Sequence, residues 1–214
     1  MAEVSKRELR RRDIAAAAQA VAVRGGAEAA TLRAIAAEAG MAPNAVLYYF
    51  GGLAEITAAA VKAAADRFLA KLSEAEHSDT DSINKLAAVI RAGTTAGLED
   101  DSSRILYEYW THSLRDPEHR CIQEELTRAQ TLTYQRVIDE GSSGGAFSPV
   151  LEPAKIARTL VAQEDGLVMD VLAGSTTSDD VLEMVAGLAA ALLGLDRAAL
   201  LDQVTGHVSG PRQR

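Results

Sequence analysis

Residues 31–50 combine hydrogen-bonding side chains with a spacing that leaves several of them on one side of a short helix. Asn44 carries an amide, and Tyr48 and Tyr49 carry hydroxyl groups. An amide can bond base edges or phosphate oxygens, and a hydroxyl can donate to phosphate. Ala45 is small enough to allow close approach or to contact a thymine methyl group. These side chains therefore suit a surface that contacts DNA.

Two short helices are needed to position these side chains. Thr31 is the predicted N-cap of a helix over about 32–39, and Gly40 supplies the positive φ that ends it. Pro43 fits the first turn of a second helix over about 43–49. A helix, a tight turn and a second helix form the helix-turn-helix unit, whose second helix enters the major groove. The alternative is a helical hairpin whose tyrosines lie in the core.

Basic residues concentrate near the N-terminus of an acidic chain. The net charge is −8, yet residues 1–56 hold seven basic and six acidic side chains. Lys6 and Arg10 are candidate phosphate contacts, and Arg33 can reach phosphate or guanine from the first turn of its helix. A solvated terminus is the alternative for the basic arm.

The composition is that of an ordinary globular protein rich in helix. The 214 residues are 48% hydrophobic, only 4% aromatic and include one cysteine, Cys121. These values exclude a wholly disordered, collagen-like or disulfide-rich chain and favour a reducing compartment. The longest apolar run, Met184–Leu195, is too short to span a bilayer. No secretory signal is evident, so we expect a cytoplasmic protein.

Alanine abundance and apolar periodicity predict an all-α fold. Residues 141–149 are predicted to form a loop and residues 206–214 a disordered tail. The predicted helices cover about 7–24, 32–39, 43–49, 53–76, 81–98, 102–115, 117–140, 153–173, 179–194 and 197–205.

Residues 7–56 resemble the DNA-binding domain of the TetR (tetracycline-repressor-type) family of transcriptional regulators. The resemblance rests on Thr31, Ile35, Ala36, Ala39, Gly40, Met41, Val46, Phe50 and Ile56, which match the family pattern.

Three positions depart from the family pattern. Ala42 stands where the family has a serine, Leu47 where it has a tyrosine and Leu53 where it has a lysine. Tyr48 and Tyr49 are expected to replace the missing tyrosine. Backbone N–H groups of the preceding glycine pair are expected to replace the lysine contact.

The resemblance implies an architecture and a function. It implies a three-helix DNA-binding domain over 1–56, a helical effector-binding and dimerisation domain over 57–206 and a tail over 207–214. It also implies a homodimer, formed through the helices at about 153–173 and 179–194, that binds a double-stranded DNA operator. We expect a repressor that a small-molecule effector releases. The expected DNA contacts are Lys6, Arg10, Thr31, Arg33, Pro43, Asn44, Ala45, Leu47, Tyr48 and Tyr49.

An effector pocket is predicted from scarce aromatic residues and from two acids on an apolar helix. Aromatic walls with a few polar groups are typical of small-molecule sites. An acid on an apolar stripe must be paired, neutral or in contact with water. A packed core, a dimer contact or a structural hydrogen bond are the alternatives. The candidate residues are Tyr107, Trp110, Thr111, Tyr134, Glu164 and Asp165.

No enzyme, metal site or cofactor is predicted. The four histidines are scattered, and no nucleophile elbow or phosphate-binding glycine loop occurs.

Two other functions remain open. One is a DNA-binding regulator without a small-molecule effector. The other is a helical interaction domain that has lost DNA binding, for which Ala42, Leu47 and Leu53 are the support.

Overall fold

The computed structural model of the chain describes residues 5–78, 80–94 and 100–206, and its regular elements there are all helices. The predicted all-α fold is confirmed. Two short 3-10 segments, Ala27–Ala29 and Trp110–Leu114, accompany the α-helices. In chain order the α-helices are Lys6–Gly25 (α1), Leu32–Glu38 (α2), Pro43–Tyr49 (α3), Leu53–Glu76 (α4), Ser82–Gly93 (α5), Asp101–Glu108 (α6), Pro117–Ser143 (α7), Pro153–Leu172 (α8), Ser178–Leu193 (α9) and Arg197–Thr205 (α10).

Side-chain caps and prolines set several helix starts. The Thr177 hydroxyl accepts the N–H of Asp180 at 3.1 Å, and the Asp180 carboxylate accepts the hydroxyl and the N–H of Thr177, which completes a capping box. Pro43, Pro117 and Pro153 open α3, α7 and α8, as predicted, because the missing N–H costs nothing in a first turn.

Two predicted helices end earlier than expected. The helix predicted over 102–115 is wrong, because α6 ends at Glu108 and residues 110–114 form a 3-10 segment. The helix predicted over 81–98 ends at Gly93, because Thr94 is extended with ψ 137°. Residues 95–98 of that prediction lie outside the described residues.

One helix runs further than expected. The loop predicted from residue 141 is wrong at its start, because α7 continues to Ser143. A Cβ at Gly141 would lie 2.2 Å from the Phe147 ring. Glycine at 141 therefore makes room for that ring instead of ending the helix. The tail predicted over 207–214 lies outside the described residues.

The described helices pack as two compact units. The first comprises residues up to Arg67 together with Asp101–Glu125, and the second comprises Phe68–Asp100 with residues from Leu126 onward. The core of the first unit includes Ile14, Ile35, Val46, Phe50 and Ile56. The core of the second includes Leu86, Ile90, Ile138, Ile156, Leu160 and Val185.

Candidate functional site

The turn between α2 and α3 has the geometry that its sequence predicts. The Thr31 hydroxyl accepts the N–H of Ala34 at 3.2 Å and so caps α2. Gly40 has φ +64°, the left-handed conformation that glycine adopts without strain. The Met41 N–H then bonds the Ala36 carbonyl at 2.8 Å, which closes the turn ahead of α3.

One face of α3 is buried and the other is exposed. Val46 and Phe50 are 0% and 2% exposed, as expected for the residues that anchor this helix. Tyr48 is 75% exposed, while Tyr49 is half-buried and meets the Tyr48 ring edge-on with centroids 5.2 Å apart. The other predicted contacts on or near this helix are also exposed or half-buried: Thr31, Arg33, Pro43, Asn44, Ala45 and Leu47.

The start of α1 lies against the same helix. A groove of about 590 Å³ is lined by Lys6, Arg7 and Arg10 from α1 and by Tyr48 and Tyr49 from α3, with Leu9 and Asp13 completing it. The basic arm and the tyrosine pair, which the sequence predicts separately as DNA contacts, therefore lie on one surface. Three cations beside two tyrosines can contact a phosphate backbone.

Arg11, which was not predicted from the sequence as a site residue, holds the end of α3 in place. The Arg11 guanidinium donates to the Tyr49 carbonyl and, at 2.8 Å, to Glu55 Oε1. It also lies 4.0 Å from the centroid of the Phe50 ring, within cation–π range. The N–H of Gly51 bonds Glu55 Oε2 at 2.6 Å, and this bond, followed by the one from Arg11, lowers the pKa of Glu55. Arg11 and Glu55 are 44 positions apart, so no local sequence signal pairs them.

The departures from the family pattern are visible in the same region. Ala42 makes no side-chain cap at α3, and Leu47 and Leu53 are 41% and 40% exposed. The N–H of Gly51 is not free to replace the lysine contact, because Glu55 accepts it.

Helix α6 is attached to the turn that follows α1. Glu108 accepts the N–H of Ala27 at 3.2 Å, and the Arg104 guanidinium bonds the Val23 carbonyl at 3.4 Å. A Cβ at Gly26 would lie 3.4 Å from the Glu108 carboxylate. These contacts lie within the first unit and were not predicted.

The predicted effector residues fall into two groups. In the first unit the Tyr107 and Trp110 rings stack with centroids 5.4 Å apart, and Thr111 is exposed. Tyr109 beside them is buried with an unpartnered hydroxyl, and burial raises its pKa to about 12. Its ring stacks on His119, which the sequence did not single out.

The second unit brings together Tyr134 and Glu164. Both side chains are buried, and the Tyr134 hydroxyl donates to Glu164 Oε1 while Gln130 Nε2 donates to Oε2 at 2.9 Å. Burial raises the pKa of Glu164 to about 8, and Asp165 adds to the rise, whereas the two hydrogen bonds oppose it. Asp165 itself is half-buried. Gln130 was not among the residues predicted from the sequence, although it lies four residues before Tyr134 and therefore on the same face of α7.

The described residues offer neither a metal cluster nor a membrane-spanning helix. They contain no group of three or more His, Cys, Asp or Glu side chains arranged to hold a metal ion. None of the described helices combines the length and the apolar composition that spanning a bilayer requires.

The fold and the exposed face of α3 are those of a helix-turn-helix protein. Residues 14–65 match the family described as "Bacterial regulatory proteins, tetR family". Residues 83–194, more than half of the chain, match "BetI-type transcriptional repressor, C-terminal". The chain therefore belongs to the TetR family of transcriptional regulators, as its resemblance indicated.

Individual relatives agree with this assignment. The chain is 26% identical over 168 residues to the HTH-type transcriptional regulator YfiR of Bacillus subtilis (strain 168), covering 78% of this chain and 82% of that one. It is 26% identical to a transcriptional regulator from Saccharomonospora viridis solved in complex with choline, with a TM-score of 0.71 over 82% of this chain and 92% of that one. A TetR regulator from Haloarcula marismortui shares the fold, with a TM-score of 0.78 at 19% identity over 86% of this chain and 98% of that one.

Proposed function

We propose that this regulator is a repressor that binds an operator through α3 and the basic start of α1. The observation that carries the proposal is the groove in which Lys6, Arg7 and Arg10 lie beside Tyr48 and Tyr49. The exposed face of α3 supplies the base-reading side chains, Asn44 above all. The predicted contacts at Thr31, Arg33, Pro43, Ala45 and Leu47 belong to the same proposal.

The test is binding to labelled DNA from upstream of the regulator's own gene, across a salt series. We expect binding much tighter than to random DNA, with affinity that falls steeply with salt. Tyr48→Ala and Lys6→Ala variants should weaken binding, and Leu114→Ala, at an exposed position of the 3-10 segment that follows α6, should not. Equal affinity of these three variants would refute the proposed surface.

We also propose a homodimer formed through α8 and α9. Each helix leaves small or apolar residues exposed or half-buried at one-face spacing, so a monomer keeps them at least partly in contact with water. Met169 and Met184 are 49% and 41% exposed. The stripes are Ala162, Gly166 and Met169 on α8 and Met184, Gly187, Leu188 and Ala191 on α9.

Light scattering on the purified full chain tests this interface. We expect a dimer for the wild type and a monomer for Met184→Glu, because a charge buried in the interface has no partner there. Val150→Glu is the matched control, since Val150 is 63% exposed and lies outside both stripes. A Met184→Glu dimer as tight as the control would contradict the proposal.

We propose further that the effector is a small organic cation that lowers operator affinity. The regulator from Saccharomonospora viridis holds choline. In this chain, none of the ion pairs among the described residues includes the buried Glu164. Tyr134 and Glu164 are the proposed centre of the site. Asp165 belongs to the same proposal. Tyr107, Trp110 and Thr111 stay as a separate group of effector contacts proposed from the sequence.

Choline added to a preformed operator complex tests this step. We expect operator affinity to fall at least fivefold, which corresponds to about 1 kcal/mol of coupling. The neutral isostere of choline, in which carbon replaces the ammonium nitrogen, should have no effect. Operator affinity unchanged by choline and by tetramethylammonium would refute a cationic effector and leave DNA binding untouched.

The domain roles and the location follow from these proposals. Residues 1–56 would read DNA and residues 57–206 would bind effector and partner subunit, while the predicted tail at 207–214 lies outside the described residues. A partner that is DNA places the protein in the cytoplasm, and we assign it no enzymatic role.

A further inference from the structure

Three helices of the second unit converge on the carboxyl group of Glu164. The side chain belongs to α8 and is 1% exposed. Helix α7 contributes two donors, the Tyr134 hydroxyl to Oε1 and the Gln130 amide to Oε2 at 2.9 Å. Both oxygens therefore receive a hydrogen bond, which is the arrangement that suits an ionised carboxylate.

Helix α5 provides the space for this group. A Cβ at Gly93 would lie 2.7 Å from both carboxylate oxygens, closer than nonbonded atoms approach. Gly93 does not have a positive φ, so its backbone conformation does not require glycine. The lack of a side chain at 93 is what admits the carboxyl group.

The same group has no positive partner. Among the described residues no ion pair includes Glu164, and the charge that acts on it is Asp165, of like sign. The titratable neighbours are Tyr134 from α7 and Asp165 from α8, while α5 presents Gly93. Tyr134 stays a neutral phenol, because burial raises its pKa well above the usual value. A buried carboxylate without a counter-ion holds a proton instead.

We infer that an organic cation binds at the Glu164 carboxyl group in exchange for its proton. The inference rests on the proposed cationic effector and says how that site recognises it. The O–H bond of the carboxylic acid breaks, the proton goes to solvent, and the cation pairs with the carboxylate. The charge of the site is unchanged, so the cation is favoured over a neutral ligand of the same shape.

Calorimetry of choline binding to the full-length protein tests the exchange. Titrations at pH 7 in two buffers of different ionisation enthalpy give the number of protons released. With a pKa of about 8, about nine-tenths of a proton should leave per site. Choline affinity should fall about tenfold between pH 7 and pH 6, because protons compete more strongly.

Two variants separate Glu164 from other acids. Glu164→Gln keeps the size and shape of the side chain but cannot ionise, so it should release no proton and bind choline weakly at every pH. Its amide oxygen can still accept the bond from Gln130, and its NH2 group can donate to the Tyr134 hydroxyl. Asp170→Asn removes an exposed acid from the same helix and should behave like the wild type. If Glu164→Gln folds poorly, the number of protons that the wild type releases on binding choline still tests the exchange.

The outcomes distinguish this inference from the proposed effector. Choline binding with no proton released, or with equal affinity in Glu164→Gln, would overturn the exchange and leave a cationic effector in place. No binding of choline or tetramethylammonium by a protein that still binds its operator would overturn both.

Discussion

The attachment of α3 by Arg11 predicts that a residue can govern operator binding without contacting the operator. Arg11→Met keeps most of the side-chain length and removes the bonds to the Tyr49 carbonyl and Glu55. It also removes the positive charge over Phe50. The end of α3 that carries Tyr48 and Tyr49 should then lose its fixed position.

The structure gives the size of this effect. The Arg11 and Glu55 side chains are 31% and 37% exposed, so their ion pair contributes about 1 kcal/mol at most. The cation–π contact contributes about 0.5–1 kcal/mol. The bond to the Tyr49 carbonyl contributes about 1 kcal/mol. We expect the free energy of unfolding to fall by about 2–3 kcal/mol and operator affinity by about tenfold, which is about 1.4 kcal/mol.

Glu55→Gln is the matched variant that separates positioning from charge. It breaks the same ion pair but makes the surface more positive. If Arg11 acted only as a charge near DNA, Glu55→Gln would bind DNA more tightly. Because Arg11 holds α3 in place, we expect Glu55→Gln to weaken operator binding by about threefold or more, on the order of 0.7 kcal/mol.

The assay is fluorescence anisotropy with labelled operator and with random DNA, each over a salt series. Both variants should lose operator affinity more than random-DNA affinity, so the specificity ratio falls. Circular dichroism would confirm that each variant is folded at the assay temperature. Operator binding by Glu55→Gln as tight as the wild type, or tighter, would refute the positioning role.

Four further predictions follow from single positions. Leu53→Lys should tighten DNA binding and steepen the dependence of log affinity on log salt by about one for each phosphate that the new lysine neutralises, measured by the same anisotropy titration. Gly93→Ala should lower the free energy of unfolding in urea by about 1–3 kcal/mol, because the added methyl group overlaps the Glu164 carboxyl. The raised pKa of Glu164 predicts stability that is complete below the pKa of an unfolded glutamate and is lost as pH rises toward about 8; urea unfolding at several pH values should show this loss in the wild type and not in Glu164→Gln. Thr177→Val should remove the capping box of α9 and lower the melting temperature, at a cost of about 1 kcal/mol.

The helix-turn-helix could be predicted from sequence because its signals are local. Thr31 caps the helix that follows it, Gly40 takes the positive φ assigned to it, and Pro43 opens the next helix. Each of these roles depends on residues within a few positions. The groove between α1 and α3 depends on residues about 40 positions apart, so the sequence suggested both sides of it and not their meeting.

Predictions failed where packing overrides a local signal. The glycines at 141–145 predict a loop, yet α7 continues to Ser143, and the missing Cβ at Gly141 leaves space for the Phe147 ring. Residues 102–115 carry apolar residues at helical spacing, yet the α-helix ends at Glu108 and a 3-10 segment follows.

Some features of the site around Glu164, the buried acid of α8, could be predicted from the sequence and others could not. Its position on an apolar stripe predicted that Glu164 must be paired, neutral or hydrated. In the structure its side chain is buried, and burial raises its pKa, which favours the neutral form. The sequence named Tyr134 as a candidate pocket residue on aromatic content alone, not as a partner of Glu164. It did not indicate Gln130 or Gly93, because those residues come from helices that meet α8 only in the folded chain.

Gly93 illustrates the physical reason. A glycine at the end of a helix usually marks a left-handed stop, as Gly194 does after α9 with φ +68°. Gly93 has no positive φ, and the next residue, Thr94, is extended. Gly93 leaves space for a carboxyl group on another helix. The residue pattern within α5 alone cannot predict this role, because it depends on a contact with α8. A glycine and a buried acid on different helices are therefore one feature of this fold, and a variant at either position must be interpreted together with the other.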